Sequence, residues 1–185
     1  MFEDKRSKKV ILLSHCILNQ NAKVDRCAHY PGAVQEIVEI IIHSGMGIVQ
    51  MPCPELLLMG LDRQVDRANQ PTIEAEDTRI AVKMSDEDGK SLCEEIAINL
   101  VYQIEEYRKN GFEVAGLIGI NGSPTCGVEQ TWFDDREQNA YGALIQALDE
   151  KLKRIGVTIP MIGIKVYEPQ QAIARVNALL DGSKR

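Results

Sequence analysis

The chain has 185 residues, of which 44% are hydrophobic and 26% are charged. These fractions lie near globular averages, which excludes a fibrous or disordered chain, and the length suits one ordinary domain. We therefore expect a single domain over residues 1–185. Aromatic residues make up only 5% and the net charge is -6. Both values argue against a nucleic-acid polymer as partner, because such partners are bound through base stacking and phosphate contacts.

No apolar segment is long enough to suggest a membrane span or an export signal. The run from Val10 to Leu13 is too short for the hydrophobic region of a signal peptide, and a bilayer span needs ~20 apolar residues. We therefore expect a cytoplasmic protein with no membrane partner. In such a reducing compartment the five cysteines are expected to be thiols, metal ligands or catalysts rather than disulfides.

Short apolar runs alternate with helical patterns along the chain, as in βαβ units. The runs that predict strands are 10–14, 47–51, 114–120 and 160–166. The segments with helical spacing are 33–43, 91–110, 139–155 and 170–180. Three longer loops separate them, 15–31, 52–90 and 121–137, and the second is expected to contain short helices or strands.

This alternation predicts the fold class. Near-continuous apolar strands are typical of a parallel sheet that is covered on both faces, and crossovers between parallel strands are right-handed. We therefore predict an α/β fold with a doubly wound, Rossmann-like or flavodoxin-like parallel sheet. It should contain about four strands in the order 2-1-3-4, with helices on both faces.

Three cysteines follow three different predicted strands. Cys16 comes just after the first strand, Cys53 just after the second, and Cys126 a few residues after the third. In a parallel sheet these positions share the carboxyl edge, where ligand sites form. Three thiolates that meet in a reducing compartment suggest a metal site. Their spacing alone leaves zinc, an iron–sulfur cluster and buried apolar thiols as open alternatives.

The segments around these cysteines resemble a known family. They read Ser14-His15-Cys16-Ile17-Leu18, Cys53-Pro54-Glu55 and Ser123-Pro124-Thr125-Cys126-Gly127. Their order, and their position relative to the strands, are similar across residues 10–130 to the thiouracil desulfidase family. The pattern of that family is S-x-C-L-L, then C-P-E, then S-P-S-C-G.

The resemblance implies a cofactor, a reaction and a set of site residues. Cys16, Cys53 and Cys126 would hold a [4Fe-4S] cluster, which preparation in air can remove. Glu55 and Ser123 would be the polar catalytic residues beside it. The enzyme would remove sulfur from a small thiolated compound, a thiouracil-like nucleobase or a related thioamide. The C–S bond would be cleaved without redox turnover, at the iron that has no protein ligand.

The chain also departs from the family pattern. Ile120 stands where the family has a lysine, Gly60 is a single glycine where the family has two, and Val24-Asp25-Arg26 replaces a Y-D-G sequence. By the resemblance, these positions lie around the substrate rather than around the cluster, so we expect a divergent member whose substrate need not be thiouracil itself.

Other residues are weaker candidates. His15, Asn19 and Asp25 are candidates for substrate contacts, although asparagine and aspartate are also common in loops for turn reasons. Cys27 is interpreted as an incidental thiol, with a spare ligand as the alternative, and Cys93 as a core residue of a helix. Two other functions remain open: a zinc- or cysteine-dependent hydrolase or transferase on the same fold, and a non-catalytic metal- or sulfide-binding module. A homodimer is one arrangement that the sequence leaves open.

Overall fold

The structure, a computed structural model, describes residues 2–69 and 71–182. Its strands are β1 (Lys9–Ser14), β2 (Gly47–Met51), β3 (Glu113–Ile120), β4 (Thr131–Phe133), β5 (Arg136–Gln138) and β6 (Met161–Ile164). Its α-helices are α1 (His15–Leu18), α2 (Gln35–His43), α3 (Pro54–Met59), α4 (Ile73–Ser85), α5 (Glu87–Lys109), α6 (Ala143–Arg154) and α7 (Pro169–Gly182).

Four strands form a parallel sheet in the order β2-β1-β3-β6. This confirms the predicted order 2-1-3-4, with β6 as the fourth strand. The register pairs Ser14 of β1 with Met51 of β2, and Leu13 with Ile118 of β3. The strands β1 and β2 therefore end side by side, and the chain leaves both at the same edge of the sheet.

The sheet is buried on both faces, which confirms the doubly wound α/β architecture. Alternate residues of β1 point to opposite faces, as strand geometry requires. Leu12 packs into a core formed mainly with α5 and α6. Ile11 and Leu13 pack into a second core formed mainly with α2 and α7. Both cores are thus built on the same strands.

The segment predicted as the loop 52–90 is largely helical. It contains α3, all of α4 and the first residues of α5. Thr72 caps α4 by accepting a hydrogen bond from the backbone N–H of Ala75, and Asp86 caps α5 through Gly89. These caps satisfy N–H groups that a helix leaves free at its start. One capping residue separates α4 from α5, so the two helices have no loop between them.

The third predicted loop, 121–137, contains an antiparallel hairpin made of β4 and β5. Its turn residues Asp134 and Asp135 have φ values of 56° and 58°. Two consecutive positive φ values are the geometry of the tight turns that match strand twist. Strands of three residues leave no periodic signal in a sequence, which is why the hairpin was not predicted. Among the described residues, no helix is at once long and apolar enough to cross a membrane.

Candidate functional site

Three cysteines meet at the carboxyl edge of the sheet. Cys16 lies in α1, directly after β1; Cys53 immediately precedes α3; and Cys126 lies in the loop after β3. All three line one cavity of about 500 Å³. The parallel topology brings these residues together as expected, because the strands that precede them end at a common edge.

The three thiols share one environment. Cys126 is buried, Cys16 and Cys53 are half-buried, and all five cysteines of the chain are free thiols. Burial raises the pKa of Cys16 and raises the pKa of Cys53 to about 12. The pKa of Cys126 is raised well above its ordinary value by burial and then by the nearby Cys53 and Cys16. Each thiol is therefore costly to ionise without a cation beside it.

Glu55 is held next to these thiols by the loop that contains Cys126. It is 8% exposed, and the hydroxyl of Thr125 donates to its Oε1 at 2.6 Å. Because a hydroxyl has one proton, Thr125 then accepts from Ser123, whose Oγ lies 3.1 Å away. The Ser123 oxygen also accepts the backbone N–H groups of Thr125 and Cys126. Ser123 is thus a turn hydroxyl that also lies on the cavity wall.

A buried arginine completes this group, and sequence reasoning missed it. Arg63 is 1% exposed. Its Nη2 lies 3.7 Å from the Cys53 sulfur, and its Nε lies 3.5 Å from Oε2 of Glu55. The guanidinium also donates to the carbonyls of Gly60, Leu61 and Ala22. Arg63 therefore places a positive charge beside both a cysteine and the carboxylate.

Asp77 of α4 is a second carboxyl group on the cavity wall. It is half-buried, and its pKa is raised to about 7, first by burial and then by the negative charge of Glu55. Sequence reasoning missed this residue because it falls in the segment predicted as a loop.

His15 lies on the cavity wall beside Cys16. Its Nδ1 contacts the side-chain amide of Gln50, and its buried Nε2 has no hydrogen-bond partner within the described part of the chain. Burial, and then the charge of Arg63, lower the pKa of the imidazole. His15 is thus available to the cavity as a neutral side chain.

The structure places the remaining sequence candidates in different surroundings. Asn19 is exposed, and its side chain accepts the backbone N–H of Asn21 as the cap of a short 3₁₀ turn, Gln20–Ala22. Asp25 lines a second, open cavity of about 750 Å³ that adjoins the first. Cys27 is half-buried on the wall of the first cavity. Cys93 is buried in the core on α5, as expected.

Close backbone packing fixes the loop that contains Cys126. A Cβ atom at Gly119 would lie 2.3 Å from the carbonyl oxygen of Cys126, and one at Gly142 would lie 2.5 Å from the Thr125 carbonyl carbon. The first N–H groups of α6 donate to the carbonyls of Pro124 and Thr125. The loop thereby satisfies donors that the start of a helix otherwise leaves free.

A side-chain amide braces the same loop from the other side. Asn121 accepts, through Oδ1, the backbone N–H groups of Val128, Glu129 and Gln130.

Within the part of the chain that the structure describes, no group of three or more histidine, cysteine, aspartate or glutamate side chains is arranged to hold a metal ion.

Comparison with known proteins finds a relative that is similar over most of the chain. No family model matches the chain, and no solved structure matches it significantly. Uncharacterized protein MJ0003 of Methanocaldococcus jannaschii is 31% identical over 157 residues, which cover 85% of this chain and 86% of that protein. Because the similarity extends over most of both sequences, the chain belongs to the same family as uncharacterized protein MJ0003.

Proposed function

We propose that this protein is an iron–sulfur-dependent desulfidase that removes sulfur from a small thiolated compound. One observation carries the proposal: three thiols from three separate segments, Cys16, Cys53 and Cys126, line one cavity together with the carboxylate of Glu55. The likeness of the surrounding segments to the thiouracil desulfidase pattern supports it.

The donor set suits a [4Fe-4S] cluster. Thiolate sulfur is the ligand that iron–sulfur clusters use, and Arg63 offers positive charge next to the Cys53 sulfur. A single ion needs all its ligands in one coordination sphere, whereas a four-iron cluster binds each thiolate at a different iron. When bound through three cysteines, such a cluster supplies an iron without a protein ligand, and that iron has affinity for sulfur.

The residues of the chain supply the acid–base chemistry. Glu55 is placed to accept a proton from a water molecule that attacks the carbon bearing the sulfur. The Thr125 hydroxyl and the Arg63 guanidinium orient this carboxylate from two sides. Fixed donors of this kind hold a base in one position, which removes the need to reorganise it during reaction.

The cavity size favours a small-molecule substrate. Its volume of about 500 Å³ falls in the range of sites for drug-sized ligands, so it can accept a substrate larger than a free pyrimidine. A cytoplasmic, reducing location belongs to the same proposal, because it keeps the thiols free. The homodimer stays a prediction that the single chain does not test.

Anaerobic purification tests the cofactor. We expect brown protein that absorbs near ~400 nm and contains about four iron and four sulfide per chain. Cys16→Ala, Cys53→Ala and Cys126→Ala should each lose most of the iron. Cys93→Ala is the matched control, because it removes a buried thiol outside the cavity and should keep the iron. Colourless protein with stoichiometric zinc, or full iron content in Cys16→Ala, would contradict the cluster.

Incubation with 2-thiouracil or 4-thiouracil tests the reaction. We expect release of hydrogen sulfide, together with the oxygen-containing base, from protein that contains the cluster. Glu55→Gln should reduce this release by about 10²-fold or more, the usual contribution of a general base, while the iron content stays unchanged. Protein that keeps the cluster and releases no sulfide from any thiolated base or thioamide would instead be a carrier.

A further inference from the structure

The cavity contains two carboxyl groups in different surroundings. Glu55 comes from α3 and has both a hydroxyl donor and a guanidinium next to it. Asp77 comes from α4, and among the residues that the structure describes it has no hydrogen-bond or ion-pair partner. The two groups can therefore take opposite roles, since pairs of acids in unlike environments divide into acid and base.

Asp77 has a fixed position although its carboxyl group has no partner within the described ranges of the chain. The next residue, Thr78, accepts a hydrogen bond from the indole N–H of Trp132 at 2.9 Å and donates to Asp135 at 2.7 Å. These bonds attach α4 to the hairpin of β4 and β5. The carboxyl group of Asp77 is thus presented to the cavity by a rigid element, as a catalytic group requires.

The charges around Asp77 are mainly negative. Glu55 faces it from α3, and Glu74 and Glu76 lie on its own helix. Lys23 faces it from the segment after the 3₁₀ turn, and the Cys27 thiol lies within its electrostatic reach. Burial and these carboxylates raise the pKa of Asp77 to about 7, and Lys23 opposes them only in part. A carboxylic acid in such surroundings keeps its proton near neutral pH.

We propose that Asp77 is the general acid of this cavity and that Glu55 is the paired base. The proposal rests on the desulfidase function proposed above and extends it with a residue for which the sequence motifs give no role. It assigns the substrate as a thioamide-type compound whose thiolated carbon is flanked by a nitrogen that can accept a proton.

The reaction balances without an oxidant or a reductant. The substrate reacts as its thiol tautomer, with a C=N bond and an S–H group. Water forms a C–O bond as Glu55 takes one of its protons, and the C=N electron pair moves to nitrogen, which takes a proton from Asp77. The C–S bond then breaks, and its electron pair leaves with sulfur as hydrosulfide, which takes the proton from Glu55 and departs as hydrogen sulfide. The carbonyl forms as the hydroxyl proton returns to Asp77, so water has replaced the sulfur.

Asp77→Asn tests the assignment in anaerobically prepared protein that contains the cluster. The probe is whichever of 2-thiouracil and 4-thiouracil the wild type consumes. We expect kcat to fall by about 10²-fold or more with unchanged iron and sulfide content. In the wild type, kcat should decline as the pH rises through about 7, the pKa of Asp77. That decline should be absent in Asp77→Asn and present in Asp77→Glu, which keeps an acid.

Asp88→Asn is the matched control, because Asp88 is an exposed aspartate of α5 outside the cavity, and it should behave like the wild type. An Asp77→Asn variant with wild-type kcat and an unchanged pH profile would overturn the assignment. Should the wild type have no cluster or release no sulfide, the proposed function itself fails. The acid is then tested separately by carbon NMR titration of Asp77 in the wild type. A midpoint near 7 supports it, and a midpoint near the ordinary 3.8 overturns it.

Discussion

At the scale of the residue, Arg63 is a buried charge on which several neighbouring groups in the site depend. Its guanidinium satisfies three backbone carbonyls, Gly60, Leu61 and Ala22, and lies 3.5 Å from Glu55. A buried charge of this kind is stable only when its donors are used and a counter-charge is close. Removing it leaves three carbonyls without their donor and takes the counter-charge away from a buried carboxylate, which then keeps only the Thr125 hydroxyl.

Arg63→Met should therefore destabilise the protein by about 3–5 kcal/mol, the usual effect of removing one partner of a buried pair. The measurement is the free energy of unfolding in urea. Arg154→Met, at an exposed arginine of α6, should change it by less than ~0.5 kcal/mol. Adding Glu55→Gln to Arg63→Met should recover part of the loss. Equal stability of Arg63→Met and the wild type would show that the guanidinium is not buried as described.

Thr125 gives a second test at this scale. Thr125→Val keeps the shape of the side chain and removes the hydroxyl that donates to Glu55 at 2.6 Å. We expect a loss of about 1.5–3 kcal/mol, since the acceptor is a buried carboxylate. Thr125→Ser keeps the hydroxyl and should retain most of the stability. A valine variant as stable as the serine variant would contradict the bond.

Some of the site residues could be predicted from the sequence and others could not. Cys16, Cys53 and Cys126 could be placed from topology, because each follows a strand that ends at the same edge. Arg63 could not, because a charged residue in an irregular segment is usually exposed. Its burial depends on carbonyls that only the folded chain brings together. Asp77 was hidden for a related reason, since its cavity exists only when α3 and α4 are in place.

At the scale of the element, the loop after β3 depends on glycines that let backbones approach. Gly119→Ala would bring a Cβ to 2.3 Å from the carbonyl oxygen of Cys126, so the loop must shift. We expect a loss of about 1–3 kcal/mol from this overpacking, together with reduced iron binding in anaerobic protein. Differential scanning fluorimetry and iron analysis give the two readouts.

Gly32→Ala is the matched control, because a Cβ at Gly32 meets nothing within 4 Å and its φ lies outside the left-handed region. It should leave both stability and iron content near wild-type values. If Gly119→Ala binds iron as the wild type does, then Cys126 either does not move with this loop or is not a ligand.

The elements that the sequence predicted only as short pieces, or did not predict at all, share a physical cause. In α4 the buried residues Ile80, Ala81 and Met84 occupy one stripe, but the charged residues around them weaken the helical pattern. The start of the helix at Thr72 is defined by a cap, which is a single local hydrogen bond. The hairpin of β4 and β5 is three residues long on each side, too short for an alternating pattern.

At the scale of the whole molecule, the sheet order was predictable because few topologies satisfy short, right-handed connections between parallel strands. The same constraint placed the candidate site at the carboxyl edge. The depth and lining of the cavity were not predictable, because residues of α4 and of the hairpin line it as well as those at the sheet edge. Periodicity describes the elements that build the core and says little about those that cover a site.

The pH dependence of stability tests the burial of Asp77 in the molecule as a whole. Its pKa is raised from 3.8 to about 7, so between these values the native state binds more protons than the unfolded state. By linkage, Asp77 then makes stability fall as the pH rises through this window, and the full penalty is present above about pH 7. Asp77→Asn cannot ionise, so it should be more stable than the wild type at pH 8, with a difference that shrinks toward pH 4.

The informative quantity is the difference in the free energy of unfolding between Asp77→Asn and the wild type, rather than the pH dependence of either protein alone. His15 has a pKa that burial lowers, so it acts with the opposite sign, but it does so equally in both proteins and cancels. Urea unfolding at several pH values between 4 and 8 gives the difference directly. A gap between Asp77→Asn and the wild type that stays constant across this range would mean that Asp77 titrates at its ordinary value. It would then lack the burial on which its proposed role as an acid depends.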